Sequence, residues 1–124
     1  MPQASSVVEV DLSSIAKRIE DSREAWQQRG LEPSFTPFFG AALLAAIRRV
    51  PRANAAFDAD GRGIRRHLAV HLGLSLSSQD GGSACHGVVR DADTLNVLGL
   101  ALEIRNLRAL SETQAGAETL LQST

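Results

Sequence analysis

Three histidines, one cysteine and two short aspartate-bearing stretches are the residues whose types could do chemistry in this chain. His67 and His71 stand four apart, the spacing that brings two imidazoles to one metal ion on a helix. The residues around them read as strand and connector, where that spacing does not converge the rings, and no metal site is expected. Cys85 and His86 set a thiol beside an imidazole. Neighbours in a strand point to opposite faces, so the pair reads as one partly buried thiol and one exposed ring, not as a nucleophile with its base. Asp58, Asp60 and Arg62 lack the later oxygen ligands and terminal glutamate of a calcium loop and read as a turn. Gly81-Gly82 is followed by neither a lysine nor a helix start, which argues against a phosphate cradle. Arg90-Asp91-Ala92-Asp93 offers the most. Where a chain leaves a strand for a helix, Asp91 or Asp93 can accept backbone amides and Arg90 can pair with either carboxylate. A loop corner of this kind can also hold a ligand, with the structural role as the expectation.

The elements that must position these residues follow from periodicity. Val7, Val8 and Val10 form a short β-prone run, and Asp11 with Ser13 and Ser14 supplies helix N-cap chemistry. From Leu12 to about Arg29, the residues Leu12, Ile15, Ile19 and Trp26 share one helical face, and Gly30 supplies the stop. Thr36-Pro37 reads as an N-cap with proline at the first helical position. The helix after it, with Phe38, Phe39, Ala42, Leu43, Ala46 and Ile47, is apolar enough to predict burial over most of its circumference, and Pro51 ends it. Asn54–Phe57 and Ile64–His67 flank an Asp/Gly-rich turn and predict an antiparallel hairpin. His71 to Ser77 alternates, with Leu72, Leu74 and Leu76 on one face; Ser78 to Ser83 reads as a turn and Ala84 to Val89 as the return strand. Thr94 is the expected cap of a third helix over about Leu95 to Leu110, which carries two apolar faces. Of these, Ile104 and Leu107 are assigned to the face turned toward a partner chain.

At 124 residues, 44% hydrophobic and with net charge −1, the chain is expected to form a single domain, 1–124, with a modest core. Its helices are rich in Leu and Ala and it has few aromatics, so the core gains little per residue and partner chains are expected. No apolar run approaches the roughly 20 residues needed to span a bilayer, and the N-terminus lacks the order of a signal peptide, so a cytoplasmic location is the default. A single cysteine excludes an internal disulfide framework. Basic residues are largely balanced by acids, which argues against nucleic acid as a partner.

Taken in order, Val8-Glu-Val-Asp-Leu12, Phe35-Thr-Pro-Phe-Phe39, Val50-Pro-Arg-Ala-Asn-Ala-Ala-Phe57, His71-Leu-Gly-Leu-Ser-Leu76 and Arg90-Asp-Ala-Asp93 make a longer pattern. It resembles the front half of the catalytic core of the dihydrolipoamide acyltransferase component of 2-oxoacid dehydrogenase complexes, which has the chloramphenicol acetyltransferase fold. The resemblance covers about Val7 to Leu110; residues 111–124 read as a polar tail or the start of a further strand. It implies an α/β, two-layer sandwich with a mixed, mostly antiparallel sheet and helices packed on one face. The family's general base lies in a His-x-x-x-Asp-Gly motif near its C-terminus, with an oxyanion hydroxyl donor upstream, and this chain has neither in recognisable form. It also departs from the family at Ala84-Cys85-His86-Gly87, where valine-rich sequence and a proline are usual.

The resemblance therefore implies a non-catalytic, acyltransferase-derived scaffold with no catalytic residue and no cofactor on this chain, lipoyl and coenzyme A thioesters being those of the family. Arg90, Asp91, Asp93, Ile104 and Leu107 would be structural or interface residues. A homo-oligomer, with a trimer favoured, would gather thiamine-dependent dehydrogenase components or a carrier protein. The alternative is one half of a split or excised acyltransferase whose catalytic histidine comes from another segment or chain.

Overall fold

The computed structural model describes residues 3–77 and 85–122, of which 85 and 114–122 are described by their backbone. The chain divides into two compact units, residues 1–35 and 36–124, where its length suggests one. The expected turn over Ser78 to Ser83, Gly81 and Gly82 included, lies outside the described residues.

The first unit is built on helix α1, Ser13–Gln28. Its start is set by Asp11, whose Oδ1 accepts the Ser13 backbone N–H at 2.9 Å and also the Ser13 hydroxyl. Those bonds, the hydroxyl's above all, stabilise the charged carboxylate and hold Asp11 below its ordinary range. The predicted face is the one that turns inward: Ile19 is buried and Leu12, Ile15 and Trp26 are half-buried. At the other end Gly30 takes φ 74°, and the Leu31 N–H reaches back to Trp26 O at 3.0 Å, a glycine stop of the expected kind. Arg23 bonds Glu20 at 3.2 Å and Glu32 at 3.4 Å, fastening the chain beyond the turn to the helix. The strand expected at Val7–Val10 is absent: the segment is exposed and pairs with no strand among the described residues. β-branched residues favour a pleated, half-covered surface, and no strand among the described residues provides one here.

The second unit contains helix α2 (Phe35–Arg49, its first residue belonging to the preceding unit), two hairpins and helix α3 (Val97–Gln122). α2 begins one residue before the expected Thr36 cap, which leaves Pro37 inside the first turn, where its missing N–H costs nothing. Pro51 ends the helix as predicted, in a single 3-10 turn over Pro51–Ala53. Strands β1 (Ala55–Phe57) and β2 (Ile64–Arg66) pair antiparallel, closed by Asp58 N–H to Gly63 O at 2.9 Å and by Gly61 at φ 70°. Strands β3 (Leu72–Leu76) and β4 (Cys85–Val89) form the second antiparallel pair, with Leu72 opposite Val89 and Leu76 opposite Cys85. The α/β class with antiparallel sheet is thus present, as two separate two-stranded sheets.

The core of this unit joins one residue from each element of the larger layer: Leu44 of α2, Leu72 of β3, Val89 of β4 and Leu100 of α3, with Val70 and Ala92. A methyl placed on Gly40 would stand 3.4 Å from Leu100 Cδ1 and 3.5 Å from Leu72 Cδ1, so α2 lies close to both partners. One placed on Gly87 would meet Leu107 Cδ1 at 3.1 Å, which measures how closely α3 rides on β4.

Three expectations about the helices are corrected. α2 buries Pro37 and Leu44 but leaves Phe39, Leu43 and several alanines exposed, so only one of its apolar faces is covered. Ile104, assigned above to an outward face, is only 8% exposed, and Leu107 is half-buried against the core. With Leu100 and Ala101 they form the inward stripe of α3, at the 3–4-residue spacing of a packed face. Finally, α3 continues to Gln122, through the stretch expected to be a tail or a strand. Ala, Glu, Gln and Leu dominate those residues and are strong helix formers even without an apolar stripe.

Candidate functional site

The corner that carries Arg90-Asp91-Ala92-Asp93 sits where β4 hands the chain to α3 through a 3-10 turn, Ala92–Thr94. Asp91 occupies the left-handed region, φ 50° and ψ 42°, the one described non-glycine residue with positive φ. Its short polar side chain makes Asp one of the few residue types that tolerate that conformation. The reversal points its N–H at His71, whose Nδ1 accepts it at 3.0 Å. The Asp91 carbonyl takes the Thr94 hydroxyl at 2.7 Å and the Thr94 N–H at 3.0 Å.

Asp93 ties the corner to the strand beside it. Its Oδ1 accepts the Val70 N–H at 3.2 Å, and Val70 returns its carbonyl to the Ala92 N–H at 2.8 Å. Arg48, at the end of α2, donates to the Asp93 carbonyl at 3.0 Å. Ala92 has no exposed surface at all, so the turn is threaded through the core. Arg90 is exposed and pairs with neither aspartate, contrary to expectation, and the guanidinium that reaches the corner is that of Arg48, 45 residues upstream of Asp93, on the Asp93 backbone carbonyl. Thr94 does not cap α3 either. That role falls to Asn96, whose Oδ1 accepts the Gly99 N–H at 2.8 Å, while Thr94 completes the preceding turn.

The corner is therefore a structural clamp in which the side chains of His71 and Asp93 are spent on backbone groups and Asp91 contributes its backbone N–H and carbonyl. Its strain is testable. Asp91→Val, which forces a β-branched residue into the left-handed region, is expected to cost about 1–2 kcal/mol, whereas Asp91→Gly should stay near wild type in thermal denaturation. Equal losses from both would mean that the carboxylate, not the backbone conformation, matters.

The other candidates stay apart. His67 contributes its backbone N–H to Asn54 O, at 3.0 Å, while the His71 ring serves Asp91. No group of three metal-ligating side chains occurs among the described residues. His86 is exposed on β4, and the side chain of Cys85 lies outside the described atoms. Asp58 and Asp60 serve their turn: Asp58 pairs with Arg65 at 3.3 Å and Asp60 accepts the Arg62 N–H at 3.1 Å. His71 and Arg48 as clamp partners were beyond sequence reasoning, because they stand 20 and 45 residues from the groups they hold and no local pattern announces such contacts.

No helix among the described residues is long and apolar enough to cross a membrane. The chain is similar to the dihydrolipoyllysine-residue acetyltransferase component of the pyruvate dehydrogenase complex of Mycobacterium bovis, 31% identical over 108 residues, covering 86% of this chain and 19% of that protein. Its fold is similar to that of a probable dihydrolipoamide acetyltransferase from Listeria monocytogenes, with TM-score 0.77 and 21% identity over 86% of this chain and 44% of the other. It is also similar to the cubic core of the pyruvate dehydrogenase multienzyme complex, with TM-score 0.75 and 20% identity over 84% of this chain and 42% of the other. The chain thus spans about a fifth of that curated relative and under half of these solved chains. The family model for the catalytic domain of 2-oxoacid dehydrogenase acyltransferases matches residues 1–121. That match takes in nearly the whole chain, and this chain belongs to the 2-oxoacid dehydrogenase acyltransferase (catalytic domain) family.

Proposed function

We propose that this chain acts as a non-catalytic, oligomerising element of an acyl-transferring, 2-oxoacid dehydrogenase-like system. The observation that carries the reading is the partly exposed apolar face of α2. Phe39 and Leu43 are 53% and 50% exposed one helical turn apart, with exposed Ala42 and Ala46 beside them and Val50 just past the helix end, 57% exposed. A contiguous apolar surface of this kind marks an interface far more often than a solvated face. By family resemblance the assembly is a trimer, with a dimer next. The partners would be thiamine-dependent dehydrogenase components or a carrier protein, in the cytoplasm, and no cofactor would sit on this chain.

A second reading is supported by the share of the solved relatives that the chain spans, 42–44%. In that reading it is half of an acyltransferase, contributing channel wall while another segment supplies the histidine that deprotonates the attacking thiol. Lipoyl and coenzyme A thiols would be the exchanging groups.

Sedimentation of the chain at concentrations on the order of tens of micromolar tests the first reading, which expects an oligomer; a stable monomer overturns it. Acyl transfer from acetyl coenzyme A to dihydrolipoamide is expected to be undetectable with this chain alone. Transfer abolished by His71→Ala or His86→Ala would place a catalytic base here and sink both readings.

A further inference from the structure

The β1–β2 ribbon carries chemistry that neither the clamp nor the α2 face uses. Between Arg48 and Arg66 lie six of the chain's thirteen basic residues against two acids, Asp58 and Asp60, a local balance of +4 within a net charge of −1. Arg65 is paired with Asp58 and Arg48 is engaged by Asp93. The guanidinium groups of Arg49, Arg52, Arg62 and Arg66 are exposed and take part in no ion pair among the described residues.

The strand register sorts the ribbon into two sides. Ala55 faces Arg66 and Phe57 faces Ile64, and by alternation these four share one side, whereas Ala56 and Arg65 belong to the other. The first side, with Arg52 from the 3-10 turn and Ala56, lines an open groove of about 520 Å³. Phe57 and Ile64 remain 60% and 66% exposed there, an apolar floor flanked by Arg52 and Arg66, which make no ion pair among the described residues.

We propose that this groove is a docking surface for an acidic, amphipathic segment of a partner protein. Apolar side chains of the segment cover Phe57 and Ile64, and its carboxylates pair with Arg52 and Arg66, whose planar forks match a carboxylate in two parallel bonds. A simple anion would use the arginines and leave the floor wet, and a purely apolar ligand would bury the floor and strand the charge. Only an occupant with both features satisfies the surface. An exposed aromatic beside arginines is also the composition of an interface hot spot, and the local positive field speeds encounter with an acidic partner. The site is distinct from the α2 face, so its failure leaves the oligomerisation reading standing.

The test is fluorescence anisotropy of the whole chain with a labelled helical peptide carrying Glu on one face and Leu on the other. Binding is expected to weaken with rising salt, and to weaken about tenfold or more in Arg66→Glu, in Arg52→Glu and in Phe57→Ser. These side chains are exposed, so each variant should keep the wild-type circular dichroism; if Phe57→Ser does not fold, the arginine variants and the salt series still decide. Equal binding of a peptide with Lys in place of Glu overturns the proposal, as does no binding of the acidic peptide. Full retention when Ser replaces Leu, or complete displacement by inorganic phosphate, overturns it in favour of a small-anion site. A drop in sedimenting mass caused by Phe57→Ser would show that a second copy of the chain covers the groove, which also overturns it.

Discussion

Leu100→Ala is expected to destabilise the chain by about 2–5 kcal/mol, the cost of removing a fully buried leucine whose surroundings close only in part. Leu100 is 1% exposed and stands where α2, β3 and α3 meet, its Cδ1 within reach of Gly40. Two of the other core residues are small, Ala92 and Val70, and cannot swing into the space. Against a total of about 5–15 kcal/mol for a domain, this is a large fraction, and the thermal midpoint should fall by at least about 8 °C. Leu110→Ala, at a position 60% exposed, is the internal control and should change stability by less than about 0.5 kcal/mol. A midpoint shift for Leu100→Ala no larger than the control's would show that the core is not closed by this residue.

Ile104→Asp and Leu43→Asp are expected to fail in different ways. Ile104 is buried on the inward stripe of α3, where an aspartate would be a desolvated charge. Such a group costs several kcal/mol even after relaxation, and the variant should lose its cooperative unfolding transition. Leu43 is half exposed on α2, so Leu43→Asp should retain the fold and instead shift the sedimenting mass toward monomer. A folded Ile104→Asp with altered mass would restore Ile104 to an interface and remove it from the core.

Elements bounded by special residues were legible in the sequence. The Asp58–Gly63 turn, the Gly30 and Pro51 stops and the alternation of Leu72, Leu74 and Leu76 each depend on a backbone preference or a short period that acts locally. What escaped were choices between locally equivalent options. Thr94 and Asn96 are both good caps, and only the turn through buried Ala92 decides between them. Val97, Ala101 and Ile104 and the neighbouring Leu95, Leu98 and Leu102 make two apolar stripes, and which one faces inward depends on how α3 lies over β4. At the corner, the place of the aspartates between strand and helix predicts a carboxylate accepting a backbone amide, and Asp93 does so from Val70. The partners His71, Val70 and Arg48 have no signal in the sequence, since distant contacts leave no local periodicity.

That clamp also bears on the order of folding. The turns of α1 and α3 and the two hairpins close over short stretches of chain and form on the microsecond scale. The bonds of the corner instead join groups 20, 23 and 45 residues apart: those of His71 and Val70 need the open end of the β3–β4 hairpin already paired, and that of Arg48 needs α2 in place as well. Loop-closure entropy is spent before those contacts return anything, so the corner is made late, on the native side of the folding barrier. The stability lost in Asp91→Val should therefore emerge almost entirely as faster unfolding, with the refolding limb of the chevron unchanged. The corner is a latch: it has little part in how quickly the fold is reached and sets how long the fold, once reached, persists.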